Sequence, residues 1–367
     1  MKLSLAMIVR DNESVLGQTL ESVKGLVDEI VIVDTGSKDN TKAVAESYGA
    51  KVYDFEWIDD FAAARNFSFE KTTGDWIMWL DSGDVIPPDS VPNFRKMRTA
   101  NFLSDPNTDI EGIMLRTNRI IDPNGEVLQW YYICRIARKS ANPVWVEPIH
   151  ETIATDNNRF FTFLDTPYIN DPLAFYQKAT DRNLRILERL KAKGDVSART
   201  YYYLGQEELA HGKFDEAEAD FIALLETKDF TYQRYFSLIH LAKIAYAKKD
   251  MGRMVNWLQQ AVFFDPTKPD AFIGLGDIFF DQEQWLKAIP FYKATLGMKI
   301  VNDGAPTNES FYNYYPLGKL GFCYLNTGNE KEGLYYLREA EKHAVGEIKN
   351  NYKKLIKDIS TQRKKTK

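Results

Sequence analysis

The chain has 367 residues, 44% of them apolar and 27% charged, with a formal net charge of −5. That length exceeds what one ordinary core organises, so two domains of a soluble globular protein are expected. The excess of acid argues against a general nucleic-acid binder, which needs a basic surface to meet phosphates, and leaves room only for a small basic groove.

Met1 to Val9 is a short apolar run with one flanking Lys. It meets Arg10-Asp11-Asn12-Glu13 instead of a small-residue cleavage site, so it reads as a first strand over Leu3–Val9 and not as a signal peptide. Helical spacing follows from Asn12 to Val23, then a second strand, Glu29 to Val33, ending in Asp34-Thr35-Gly36-Ser37. Asp39-Asn40-Thr41 offers an N-cap to a helix that stops at Gly49. A strand from Lys51 to Phe55, a helix from Phe61 to Lys71 and a strand from Asp75 to Leu80 come next. Strands alternating with single helices imply a parallel sheet of right-handed βαβ units. The aromatic run Trp76-Ile77-Met78-Trp79-Leu80 then ends at the carboxyl edge of that sheet, where ligands bind in open α/β folds. There Asp81 and Asp84 are placed either to hold a divalent cation against a phosphate or to make a turn and cap the next helix. Asp34 suits a nucleobase N–H or a ribose hydroxyl, and Arg65 offers a fork of donors to a diphosphate if it is not simply an exposed helix residue. No G-x-G-x-x-G follows the first strand and no Walker Lys is present, which argues against a dinucleotide enzyme or an ATPase.

Four segments in order carry a resemblance: Ala6-Met7-Ile8-Val9-Arg10-Asp11-Asn12-Glu13, Ile32-Val33-Asp34-Thr35-Gly36-Ser37-Lys38-Asp39-Asn40-Thr41, Asp60-Phe61-Ala62-Ala63-Ala64-Arg65-Asn66 and Trp79-Leu80-Asp81-Ser82-Gly83-Asp84. Together they resemble the motif set of family 2 glycosyltransferases with a GT-A fold, a Rossmann-like mixed sheet. The resemblance is strong over the first third and extends more weakly to about residue 170. It implies nucleotide contacts at Val9, Arg10, Glu13, Asp34 and Arg65, with Asp81 beside the ribose and the metal. It also implies an Asp-x-Asp pair ligating Mg²⁺ or Mn²⁺ on the diphosphate of a UDP-sugar. One departure matters: the second acid of that pair falls on Gly83, with Asp84 one residue later. Either Asp84 takes over through a shifted backbone, or the metal leans on Asp81 and a ligand from elsewhere.

Gly112 to Asn118 and Val127 to Ala137 read as a hairpin about Asp122-Pro123-Asn124-Gly125. The strand through Trp130-Tyr131-Tyr132-Ile133-Cys134-Arg135 interleaves aromatic and basic residues, as a sugar or peptide platform or as ordinary core. His150-Glu151 follows. Inverting glycosyl transfer needs a base for the acceptor proton and cationic help for the leaving diphosphate. Glu151 is the expected base, with Asp84 or Glu147 next in line, and His150 is expected on the metal or a phosphate oxygen if it is not simply structural. The Arg135/Arg138 and Ile-His-Glu pattern is similar to that of bacterial family 2 enzymes carrying tetratricopeptide repeats, among them the peptide S-glycosyltransferases of bacteriocins. Members of that group often continue with Tyr-His-x-Gly; here Tyr168-Ile169-Asn170-Asp171 lacks the His.

Beyond Pro172 helical periodicity takes over, giving expected boundaries of 1–171 for the α/β domain, 172–200 for a helical linker and 201–367 for an all-α repeat domain. Tyr201…Gly205…Phe221, Leu238…Ala242…Leu258, Phe272…Gly276…Tyr292 and Leu317…Gly321…Leu337 follow the tetratricopeptide spacing of about 34 residues, with insertions before the second and fourth copies. Such an array binds peptides or another subunit, or serves as a rigid extension. Cys134 and Cys323 read as buried thiols of a reducing compartment. No stretch approaches the ~20 apolar residues of a membrane span, so the cytoplasm is the expected location. The expected activity is hexose transfer from UDP-glucose or UDP-N-acetylglucosamine to a Cys, Ser or Thr side chain of a peptide held partly by the repeats. A lipid-linked or cell-envelope saccharide is the alternative acceptor, and a repeat scaffold with an inactive GT-A domain is the alternative of another class. The oligomeric state is left open, a homo-oligomer among the options.

Overall fold

The computed structural model describes residues 2–100, 103, 105, 107–121, 125–162, 166–171, 181–228, 231–301 and 303–365. They fall into two compact units, Met1–Ile121 with Trp130–Ile186, and Asp122–Gln129 with Leu187–Lys367. Residues 172–180 of the expected linker lie outside the described residues, and its remainder is largely helical.

The first unit opens with β1 (Leu3–Val9), α1 (Leu16–Ser22), β2 (Glu29–Asp34), α2 (Thr41–Ser47), β3 (Lys51–Asp54), α3 (Phe61–Glu70), β4 (Trp76–Trp79) and α4 (Val91–Arg98). Strands β5 (Gly112–Ile121), β6 (Val127–Arg138), β7 (Val144–Val146), β8 (Thr152–Ala154), β9 (Phe160–Thr162) and β10 (Tyr168–Asn170) follow. The sheet order is β10-β5-β6-β4-β1-β2-β3, with β9 on β5. β1 pairs in parallel with both β2 and β4, whereas β6 lies antiparallel to β4. The βαβ run from β1 to β4 is therefore parallel and the whole sheet mixed, as expected of the GT-A resemblance. The connection from β5 to β6 is too short for a crossover, so β5 runs antiparallel to β6 and hence in the direction of β4 and β1. The ends of β1, β2, β4, β5 and β10 thus share one edge.

Burial explains the unbroken apolar strands. Leu3, Leu5 and Met7 of β1 join Leu16 and Leu20 of α1 on one face, while Ala6, Ile77 and Trp79 meet Ala62 and Phe69 of α3 on the other. The helix expected from Asn12 begins only at Leu16. Asn12 instead makes a turn: its carbonyl accepts from the amides of Val15 and Leu16, and its own amide donates to Thr41 Oγ1 at 2.7 Å.

At the start of β5, Glu111 accepts from Thr155 Oγ1 at 2.8 Å, the Asn157 amide at 2.9 Å and Asn157 Nδ2 at 2.7 Å. Burial opposes its charge, but these donors outweigh burial and bring the carboxyl down to about 2. A depressed acid stabilises the fold above its unfolded value of 4.5, and that contribution is lost as pH falls through about 2. Glu111→Gln is expected to lower unfolding free energy at pH 7 by about 1–3 kcal/mol. In denaturant titrations its deficit against the unmodified protein should shrink from pH 4.5 downward.

The second unit contains the second half of α5 (Asp181–Ala192) and then four helix pairs: α6 (Ala198–Ala210) with α7 (Phe214–Glu226), α8 (Tyr232–Ala247) with α9 (Met251–Phe264), α10 (Asp270–Asp281) with α11 (Trp285–Thr295), and α12 (Tyr314–Asn326) with α13 (Glu330–His343). A last helix, α14 (Gly346–Lys365), packs on α13. Each expected small residue meets a large one on the second helix of its own pair. A methyl group on Gly276 would stand 2.7 Å from the Tyr292 ring, one on Gly205 2.9 Å from Phe221, and one on Gly321 2.6 Å from Leu337. Ala242 and Leu258 share one apolar cluster in the same way. The insertion before the second copy is absorbed as extra helix at the start of α8, and that before the fourth as the long connector between α11 and α12.

Candidate active site

The loops after β1 and β2 are laced together. The Asp11 amide donates to Ser37 Oγ and its Oδ1 accepts from the Lys38 amide; the Glu13 amide donates to Asp39 Oδ2 and its Oε2 accepts from the Asn40 amide. Glu13, an expected nucleotide contact, thereby faces the start of α2. Val9 is buried and its carbonyl accepts from Thr35. Arg10 stays exposed beside Asp11 at 3.9 Å. Asp34 is fully buried at the end of β2; its Oδ1 accepts from the Gly36 and Ser37 amides, whereas its Oδ2 has no hydrogen-bond partner. Gly36 has φ of 103°, a conformation that a side chain at that turn would resist.

Across β1, α3 delivers Arg65. Asp60 starts this helix by accepting from the Ala63 amide at 2.9 Å, and Asn66 clamps β7 with two bonds to the Trp145 backbone. Trp145 is thus held against the Arg65 guanidinium, 4.8 Å from its ring, with Trp79 at 4.6 Å on the same group. Cation–π contact offsets part of the desolvation of so buried a charge. The fork of Arg65 is spent on two carboxylates: Nη2 donates to Asp81 Oδ1 at 2.7 Å and Nε to Glu151 Oε1 at 2.5 Å. One cation therefore joins the end of β4 to the loop between β7 and β8.

That loop is held in an unusual shape. Glu147 and His150 both adopt positive φ, 72° and 52°, at a conformational cost of about 1–2 kcal/mol each that surrounding contacts must offset. One such contact is the Phe61 amide donating to the Pro148 carbonyl at 2.8 Å.

Asp84, expected to share a cation with Asp81, is turned into the fold. Its Oδ2 accepts from Arg135 Nη1 at 2.7 Å and from the Asp81 amide at 2.9 Å. Burial pushes its carboxyl up to about 6; Arg135 pulls the other way, and Asp81 and Asp171 push further. Arg135 in turn lies 4.1 Å from the Trp79 ring, so Trp79 contacts both arginines. Val85 and Asn170 exchange two backbone hydrogen bonds, which bring the end of β10 beside this loop. Asp171 there accepts from Arg119 of β5 at 3.0 Å.

Residues 4–112 match the model of glycosyl transferase family 2. They form a family 2 glycosyltransferase domain. Over 85 residues the chain is 49% identical to a TPR repeat-containing protein of Synechococcus elongatus, 23% of this chain and 21% of that protein. Over 85 residues it is 32% identical to an uncharacterized glycosyltransferase of Rickettsia felis, 23% of this chain and 30% of that one. The aligned parts span less than a third of these curated relatives' length. The crystal structure of S. aureus TarS 1–349 covers 72% of this chain and 91% of its own at 16% identity, with a TM-score of 0.37.

Within the glycosyltransferase domain, Gly83 stands where the resemblance leads one to expect a second acid. It has φ of 107°, and its amide donates to Thr19 Oγ1 at 2.8 Å. The turn itself demands glycine there. With Asp84 buried and committed to Arg135, the Asp81/Asp84 pair does not fit a two-acid cation site. Arg119 and Asp171 were not singled out as site residues from sequence. Only the interleaving of basic and aromatic residues along β6 hints at the layer beneath the site. No helix of the described residues is long and apolar enough to cross a membrane.

Proposed function

We propose that the chain transfers a hexose, with inversion, from a UDP-sugar such as UDP-glucose or UDP-N-acetylglucosamine to a Cys, Ser or Thr side chain of a peptide or protein. The observation that carries this reading is the Asp81–Arg65–Glu151 bridge, which sets two carboxylates at the carboxyl edge of the sheet. Asp34, with one oxygen unused by the protein, receives the base N–H; Val9 and Arg10 border the nucleoside, and Asp81 faces the ribose. Glu13, Arg65 and Asp84 act as positioning residues through their protein partners. The acceptor atom attacks C1 and its proton passes to Glu151, while the C1–O bond breaks and its electron pair leaves with the β-phosphate oxygen. His150 shapes the loop that carries Glu151. No step of this reading runs through a divalent cation. The helix pairs hold part of the acceptor, as such arrays do with extended peptides.

Glu151→Gln is the deciding variant. It should bind UDP as the unmodified protein does and lose transfer to peptide by about 10²–10⁴-fold. Mass spectrometry of cellular peptides incubated with mixed UDP-sugars reads this directly; transfer surviving within a few-fold removes Glu151 as base. The missing two-acid cation site favours one second reading, a repeat scaffold with an inactive glycosyltransferase domain. Silence with every UDP-sugar, with no thermal shift on adding them, selects it. Glycosylation of a lipid-linked saccharide but of no peptide would instead move the acceptor to the cell envelope.

A further inference from the structure

A departing diphosphate needs positive charge beside it, and the residues that the family uses to hold a metal are otherwise engaged here. Asp84 is bonded to Arg135, and Gly83 stands in the acid's place. Three arginines instead sit close to Asp81 and Asp84. The side chain of Arg135 is 2% exposed and bonded to Asp84 and Thr117, and that of Arg65 is 7% exposed and divided between Asp81 and Glu151. Both are buried and already paired with protein carboxylates. Arg119 differs, with 38% of its side chain exposed. It lies two residues from the end of β5, a strand that runs with β4 and β1, so it stands at the same carboxyl edge as Asp34 and Asp81. Its Nη1 is steadied by Asp171 at 3.0 Å, and its charge interacts with Asp81, Asp84 and the Tyr131 hydroxyl.

We propose that Arg119, braced by Asp171, is the cation that meets the diphosphate of the sugar nucleotide, in place of a protein-held divalent metal. The inference rests on the sugar-nucleotide reading above. An Asp171-braced guanidinium keeps donors for phosphate oxygens in a planar fork, and its position is set before the ligand arrives. As the C1–O bond breaks, the charge arriving on the β-phosphate oxygen is balanced by this guanidinium, and no proton or co-reactant is required.

Calorimetric titration of the full chain with UDP and with UMP, in EDTA and in Mn²⁺, tests this. The unmodified protein should bind UDP at least about tenfold more tightly than UMP in EDTA. Arg119→Gln should lose most of that preference with UMP affinity unchanged, and Arg119→Lys, which keeps the charge and the partner of Asp171, should restore part of it. An Arg119→Gln protein that keeps the UDP preference, or that loses UDP and UMP equally, overturns the proposal. So does a UDP preference that appears only with Mn²⁺. Should the unmodified protein bind neither nucleotide in either buffer, the sugar-nucleotide reading itself falls and takes the proposal with it; the other outcomes leave that reading standing. If Arg119→Gln unfolds, judged by circular dichroism, the Arg119→Lys protein decides alone: a UDP preference smaller than that of the unmodified protein but still present supports the inference, and an unchanged or absent one overturns it.

Discussion

Arg65→Ala is expected to abolish measurable UDP-sugar turnover, a loss of at least about 10³-fold, and to destabilise the first unit by about 3–5 kcal/mol. Both effects come from one place. The guanidinium is buried against Trp79 and Trp145 and is the one cation shared by Asp81 and Glu151. Its removal leaves a void beside two indoles and two carboxylates with no shared cation. Arg65→Lys separates the two losses. An ammonium restores one charge but cannot send a planar fork to two acids at fixed angles, so stability should recover further than turnover does. Denaturant titration and UDP release from the same preparations provide the two readings. Arg65→Ala turnover within tenfold of the unmodified protein would show that the bridge is not what aligns the site.

Arg135→Met is expected to lower unfolding free energy by about 3–5 kcal/mol, because it strands a buried carboxylate without removing it. For a unit of this size that corresponds to a fall in melting temperature on the order of 10 °C. Adding Asp84→Asn in the same chain should recover a good part of the loss, since an amide needs no counter-charge. The pH dependence follows from sign. Burial already raises the Asp84 carboxyl to about 6 despite Arg135, and without Arg135 it rises further. An acid raised in the folded state favours folding below its unfolded value and loses that contribution as pH climbs through its folded value. The Arg135→Met deficit should therefore be larger at pH 8 than at pH 5, and a deficit independent of pH would place the cost in lost packing against Trp79 instead.

Trp79 connects the two experiments, for Arg65 and Arg135 both pack on its ring. The proposed base and the buried acid thus share a support. A substitution that shrinks this indole should weaken the coupling between the two ion pairs, which double-mutant cycles between Arg65 and Arg135 would measure.

Local pattern was sufficient for much of this protein. Apolar strands alternating with helical spacing identified the seven elements from β1 to β4, and small residues at a recurring interval identified the helix pairs, because backbone hydrogen bonding and side-chain period act between near neighbours. The acids at the ends of β2 and β4 were legible for the same reason: a strand's end is a local event. What tertiary structure alone decided is which charge answers which. Arg135 meets Asp84 across 51 residues, Arg119 meets Asp171 across 52, and Arg65 meets Glu151 across 86. Those pairings depend on β5, β6 and β10 joining the sheet beside β4, an order that no spacing along the chain encodes. In sequence, an arginine near an aspartate motif reads as a donor for phosphate. In the fold, burial makes an unpaired charge too costly, so Arg65 and Arg135 turn to carboxylates, and among the three arginines around Asp81 and Asp84 Arg119 keeps the greatest exposure to solvent.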